Sequence, residues 1–220
     1  MATSRVVVFQ ALGHGQPPAA TALDELKQQA GFQRAFFGVK MEDPETGILC
    51  TEWSSTATAL SGYRDSGLVP SSSSSSSSPS PSLGGGGAKE MLVFAAAAAA
   101  ETAAEAGQHG GHEQGGWRSV LGAPCTEVFT AYGVEEGFVG NVGRFVSCVD
   151  ADPPEGYRGA AVFGDGNGDG EKVVRMVIGW ASREAHLVAK EGSGAIRENI
   201  HELRVLRRAV DLFHVAFREL

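Results

Sequence analysis

Three stretches from the beginning of the chain return, in the same order, near its end, and this constrains the fold more than anything else in the sequence. VVVFQALG at 6–13 matches TEVFTAYG at 126–133, with Val8/Val128, Phe9/Phe129, Ala11/Ala131 and Gly13/Gly133 at an offset of 120. GFQRAFFG at 31–38 resembles GYRGAAVFG at 156–164, pairing Gly31 with Gly156 and Phe32 with Tyr157 at an offset of 125. CTEWSSTATALSGYRDSG at 50–67 lies on VIGWASREAHLVAKEGSG at 177–194, with Trp53/Trp180, Ser55/Ser182, Leu60/Leu187, Ser66/Ser193 and Gly67/Gly194 at an offset of 127. Each match is weak alone. Three collinear matches with slowly growing offset read as two copies of one unit.

Between the copies the composition changes. Eight serines at 71–78, then PSPS, four glycines at 84–87, an alanine run and HGGHEQGG fill the gap. Such a stretch buries too little apolar surface to offset the entropy of ordering it. Only KEMLVFA at 89–95 has the pattern of a strand there; the rest reads as a flexible connection. The division expected is therefore a first unit over 1–69, an insert over 70–122 holding one closing strand, and a second unit over 123–220. With 220 residues and 42% hydrophobic content, the chain has enough apolar side chains for a real core.

Each copy reads as strand, helix, strand, strand, helix, strand. In the second copy TEVFTAYGV is the first strand. Phe138, Val142, Phe145, Val146 and Val149 share one face of a helix over 138–149. GYRGAAVF and KVVRMVIGW form a hairpin, Ser182 caps a short helix, Ile196, Ile200, Leu203 and Leu206 form another apolar stripe, and AVDLFHVAFRE closes the unit. In the first copy Thr21 and Asp24 suggest a capping box before LDELKQQA, and Ser55 caps the helix after Trp53. This order is the ferredoxin-like split βαβ. One such sheet leaves a face bare, and two copies can cover each other. The expected fold is α+β: two tandem ferredoxin-like βαββαβ halves packed as an intramolecular dimeric α/β barrel.

On GWASREAH (Trp180, Ser182, Ala185, His186), CTEWSS in the first half and FHVAF at the C-terminus, the chain resembles the dimeric α/β-barrel superfamily, with its antibiotic-biosynthesis monooxygenases and stress-responsive A/B-barrel proteins. It resembles in particular fungal members with two fused halves. The resemblance implies a hydrophobic small molecule as partner, aromatic and polyketide-like, and a cofactor-independent monooxygenase or cyclase reaction in secondary metabolism. The superfamily also contains members with no known reaction, so a catalytically silent ligand-binding or interaction protein is the alternative, and fold alone does not choose.

Charge and cysteines narrow the setting. A formal net charge of −8 and a pI near 5.2 argue against nucleic acid or anionic membrane as partner. Cys50, Cys125 and Cys148 form no CxxC pair and no disulfide framework, which points to reducing cytoplasm. MATSRVVVFQ carries no leader-like apolar region, and MLVFAAAAAA is too short to span a bilayer. Pairing of two such chains into a homodimer is left open. No cofactor or metal is expected. In FGDGNGDGEKVV the spacing of Asp165, Asn167 and Asp169 imitates a calcium loop, but Met176 stands where the closing Glu belongs. His109 and His112 lack a closed ligand set.

The residues able to do chemistry are few. His214 sits on the last strand with Val210, Leu212 and Ala216 on its face; it is either a neutral general base toward an acidic phenol or β-dicarbonyl, or a hydrogen-bonded core histidine. Tyr132, beside Val128 and Thr130, is either a donor to a ligand carbonyl or phenol, or a barrel-filling aromatic. His186 belongs to the first turns of a helix and corresponds to Ala59 in the first copy, which suggests an interfacial or capping role. Trp53 and Trp180 end equivalent strands as plugs or ligand stackers. His214 and Tyr132 are thus the catalytic candidates, and His186, Trp180, Trp53 and Thr130 the ligand-binding ones, around an apolar cavity expected between the halves. GxSxG and GxGxxG patterns are both missing from the sequence.

Overall fold

The computed structural model describes residues 6–66, 68, 91–95, 116–168, 171–192 and 194–220. Most of the low-complexity insert, with His109 and His112, and Asp169 of the calcium-like loop lie outside the described residues. The first half runs β1 (Val6–Leu12), α1 (Ala20–Lys27), β2 (Phe32–Val39), β3 (Gly47–Trp53), α2 (Thr56–Asp65) and β4 (Met91–Ala95). After a short α3 (Trp117–Leu121) come β5 (Cys125–Tyr132), α4 (Phe138–Ala151), β6 (Tyr157–Gly168), β7 (Glu171–Trp180), α5 (Arg183–Glu191), α6 (Ala195–Asn199), β8 (Ala209–Val215) and β9 (Arg218–Glu219). The strands line up as β8-β5-β7-β6-β4-β1-β3-β2-β9. Each four-strand block has its closing strand beside its first, the order of a ferredoxin-like sheet.

The two sheets join at both seams. Ala95 of β4 pairs with Gly164 of β6. At the other seam the C-terminal strand breaks after Val215 and crosses over, so that β9 pairs with β2 through Phe36↔Glu219 and Phe37↔Arg218. An isolated bridge, Lys40↔Val215, and a 2.8 Å hydrogen bond from the Met41 N–H to the His214 carbonyl tie the crossover down. The sequence pattern had suggested one unbroken last strand. Its break covers two sheet edges at once, and an uncovered edge is costly to leave exposed.

Strand alternation sorts the core into three layers. Val7, Phe9, Cys50, Phe94, Val128 and Phe163 fill the space between the sheets. Phe129, Val142, Phe145, Met176 and Trp180 pack the second sheet against α4 and its neighbours, and Leu26, Leu49, Trp53 and Tyr63 do the same in the first half. Trp53 meets Phe32 edge to face at 5.5 Å, and Trp180 meets Tyr157 at 5.8 Å. Gly31 and Gly156 both hold φ at +85°, where a side chain would strain the backbone. Their carbonyls accept equivalent bonds from Ser54 and Ala181 N–H.

Register corrects the first of the three sequence matches. Val6 stands opposite Trp53, and Cys125 stands opposite Trp180, so β1 and β5 correspond at an offset of 119 rather than 120. A one-residue slip moves every side chain to the other face: Phe9 points between the sheets and Phe129 toward the helices. The capping box fails as well, since α1 begins after Ala19 with no side-chain cap. Ser55 and Ser182 do cap, accepting from the N–H groups of Thr58 at 3.2 Å and Ala185 at 3.1 Å. Within the stretch expected to be a flexible connection, α3 buries Val120 and Leu121 against the interior. Its Arg118 grips the buried Glu52 through Nε at 3.1 Å and Nη2 at 2.5 Å.

Candidate functional site

On the helix-facing side of the second sheet, four polar side chains meet where the layer is otherwise apolar. Glu127 belongs to the β5 face that also presents Cys125, Phe129 and Ala131 to the helices. His214 is its cross-strand neighbour on β8, and Trp180 ends the adjoining β7. The chain then turns, Ser182 caps α5, and His186, one turn in, is brought over Trp180 with its ring stacked at 5.2 Å. Glu127, His186 and His214 are all buried.

The geometry is that of a hydrogen-bonded row. His186 Nδ1 lies 2.7 Å from His214 Nε2. His214 Nδ1 lies 2.5 Å from Oε1 of Glu42, whose Oε2 accepts the His214 backbone N–H at 2.9 Å. At the far end His186 Nε2 stands 3.3 Å from Glu127 Oε2, which also accepts the Trp180 indole N–H at 3.0 Å. Arg183 Nε lies 3.4 Å from Glu42 Oε1. Glu42 reaches in from the loop after β2, so the row spans the seam between the sheets.

Hydrogen-bond logic fixes the proton positions for the neutral pair. An ionised Glu42 accepts from Nδ1–H of His214, leaving His214 Nε2 as acceptor and His186 Nδ1 as donor. His186 Nε2 then presents a lone pair to Glu127, an arrangement that is favourable when that carboxyl carries a proton. The electrostatics agree. Burial raises the Glu127 pKa to about 7, against smaller lowering from the Trp180 hydrogen bond and from Lys190. Burial also lowers the His186 pKa to about 4, helped by His214, Lys190 and Arg183 and opposed by Glu42. For Glu42 burial pushes upward, but the backbone and ring N–H groups of His214 outweigh it and hold the carboxyl below its ordinary value. The row thus has a neutral imidazole in His186 and an ionised carboxylate, Glu42, on the outer nitrogen of His214 at its more exposed end.

His214, His186 and Trp180 come together here, whereas Trp53 plugs the first half, its indole N–H on Thr51 Oγ1 at 2.8 Å. Tyr132 and Thr130 lie on the opposite face of β5, toward the interior, with Thr130 accepting from Arg175 Nε at 2.8 Å. His214 and Tyr132 therefore share no pocket: a sheet lies between them. The cavity expected between the halves is filled by aromatic side chains, with Arg175 over the Phe9 ring at 4.7 Å, and the opening beside them holds about 20 Å³. A larger cleft of about 270 Å³ lies outside the barrel, walled by Pro154, Val188, Ala189 and Ile196 and edged by Asp152 and Glu155. Among the described residues no helix is long and apolar enough to cross a membrane.

Sequence reasoning missed Glu127, Glu42 and Arg183. With β5 in its true register, Glu127 would have been legible as a carboxylate on a core-facing position, a placement that usually signals a partner.

No family model matches the sequence, and no curated protein matches it. Solved structures do resemble the chain. An anthrone oxidase-like protein superposes with a TM-score of 0.64 at 13% identity, over 98% of this chain and 93% of its own. A proposed monooxygenase from Lactobacillus acidophilus NCFM gives 0.53 at 8% identity, over 97% and 94% of the two chains. Another from Fusobacterium nucleatum gives 0.54 at 9% identity, over 100% and 95%. At such identities the likeness establishes the fold, a ferredoxin-like α/β barrel, and the reaction must be argued from residues.

Proposed function

We propose that the chain is a small-molecule enzyme of the monooxygenase-like α/β-barrel type that removes a proton, without a cofactor, from an acidic aromatic substrate of the hydroxyanthrone or polyketide-phenol kind. The observation that carries this reading is the 2.7 Å contact between His186 and His214 with Glu42 on the outer nitrogen of His214. A proton taken by His186 Nε2 passes on as the Nδ1 hydrogen moves to His214 Nε2, so the positive charge forms on His214 against the Glu42 carboxylate and not on the buried His186. Arg183 supplies a cation beside Glu42 for the phenolate or enolate left behind. Electron-rich anions of this kind react with dioxygen directly, and the chain's likeness to structures described as monooxygenases and anthrone oxidase-like supports that direction. In this reading the two halves are fused copies that replace the two subunits of a dimeric barrel, and the site stands once per chain.

Oxygen uptake with a hydroxyanthrone-type phenol tests it. His214→Ala should lower turnover by at least about 100-fold, the usual size of a general-base contribution, while the far-ultraviolet spectrum stays that of the wild type. Wild-type uptake no faster than the uncatalysed rate would sink the reading. The second reading, a catalytically silent barrel, is favoured by one observation, the filled space between the sheets. It predicts that His186→Ala and His214→Ala change only the melting temperature.

A further inference from the structure

The same residues carry an inference that does not depend on the reaction. Glu127, His186 and His214 each present one ligand atom, all within 4.8 Å of one another and all buried. Two imidazole nitrogens and one carboxylate oxygen form the donor set that divalent first-row transition metals take. With metal–ligand distances of about 2.0–2.2 Å, side-chain shifts under about 1 Å would close the three atoms on one ion. We propose that Glu127, His186 and His214 form a binding site for a single divalent transition-metal ion of intermediate softness.

A second observation points the same way, namely the hydrogen bonds around the donors. Metal-binding histidines characteristically give their other ring N–H to a carboxylate, which fixes the ring and raises its basicity. His214 does this through Nδ1 to Glu42, leaving Nε2 for the ion. Glu127 is oriented in turn by the Trp180 indole N–H. The equivalent positions of the first half, Val8, Ala59 and Val93, offer no donor atom, so among the described residues the site occurs once. The ion takes the place of the hydrogen between the two histidines: that proton leaves to solvent, His186 Nε2 takes the Glu127 carboxyl proton, and the ion meets two neutral imidazoles and a carboxylate. Because the ion occupies the lone pairs that the proposed base uses, it inhibits the reaction.

Cobalt(II) is the probe, titrated into the full-length chain after chelator treatment and followed by its visible absorption and by native mass spectrometry. The expected result is one cobalt per chain, displaced by one equivalent of zinc(II). Glu42→Gln should weaken binding about 10- to 100-fold with the fold retained, and the double variant His186→Ala/His214→Ala should abolish it. A His109→Ala/His112→Ala variant should bind as the wild type does. No stoichiometric cobalt, or full binding in the His186/His214 double variant, overturns the site. Oxygen uptake read in parallel separates the two ideas. Uptake with no cobalt bound would sustain the reaction and overturn the metal site; bound cobalt with no uptake in either form would do the reverse.

Discussion

The two halves place the same elements around the same position and fill it with opposite chemistry. In the first half Val8, Val93 and Ala59 surround Trp53, and the indole N–H is satisfied by a threonine hydroxyl that also meets Tyr63 at 2.8 Å. In the second half Glu127, His214 and His186 stand at the corresponding places around Trp180, and the indole N–H goes to a carboxylate. Folding needs only the first solution. Two imidazoles and a carboxylate in a buried layer cost desolvation and are held by a row of partners that ends on Glu42, in the loop after β2 of the first half. A shared fold with an apolar version of the site shows that the polar version is not required for packing, which is the main reason for assigning it a task.

The largest expected effect would show what the halves share. Trp53→Ala and Trp180→Ala should each cost about 3–5 kcal/mol, since both indoles are fully buried. Equal losses in denaturant unfolding support equivalent plugs; a negligible loss in either half breaks the comparison. Next in size is a paradox of number. His186→Ala alone should cost about 1–3 kcal/mol, because it leaves buried partners unsatisfied. The quadruple change Glu127→Val/Ile178→Thr/His186→Ala/His214→Val, which copies the first half including the hydroxyl that receives the indole N–H, should stay within about 1 kcal/mol of the wild type, because whole polar networks can be exchanged for apolar packing. A quadruple variant less stable than the single one contradicts the equivalence.

Gly31→Ala and Gly156→Ala follow, each expected to cost about 1–2 kcal/mol for placing a side chain at positive φ. New Cβ atoms would also meet Ser54 Oγ at 2.5 Å and the Ala185 Cβ at 2.7 Å. A neutral result at one glycine only would show that the matching turns are not under the same constraint.

The last comparison concerns pH, where opposing slopes leave the wild type with the smallest net effect. Glu127, raised from 4.5 to about 7, binds its proton more tightly when folded, so its contribution to stability falls as pH rises between those values. His186, lowered from 6.5 to about 4, binds its proton less tightly when folded, so its contribution rises with pH over that interval. The two slopes oppose each other in the wild type. Glu127→Gln should therefore make stability rise from pH 4 to 6.5, and His186→Ala should make it fall from pH 4.5 to 7. Unchanged pH profiles in chemical unfolding would contradict both assignments.

How far the sequence reveals this follows from the same contrast. Trp53/Trp180, Gly31/Gly156 and the two serine caps are legible because each is tied to a local device, a plug, a turn or a helix start. Register of β1 and β5 is not, because seven-residue β1 and its counterpart β5 are buried on both faces and lack the alternation that would fix it. That slip hides Glu127. Glu42 is hidden for another reason: it meets His214 across 172 residues from an exposed loop, and no local pattern announces it. The five-residue α3 is too short to show a period. The histidines themselves were visible as candidates, but the expected partner of His214, Tyr132, lies through the sheet from it.

The most direct test of the coupled pair is a pH titration of the imidazole nitrogens of His186 by long-range proton–nitrogen correlation NMR on the labelled wild-type chain. The geometry predicts a neutral His186 with its hydrogen on Nδ1, unchanged through pH 6.5 and charging only as pH approaches about 4. A His186 that titrates near 6.5 as a free imidazole does, or that carries its hydrogen on Nε2, would contradict the row from Glu127 to Glu42 and the function built on it.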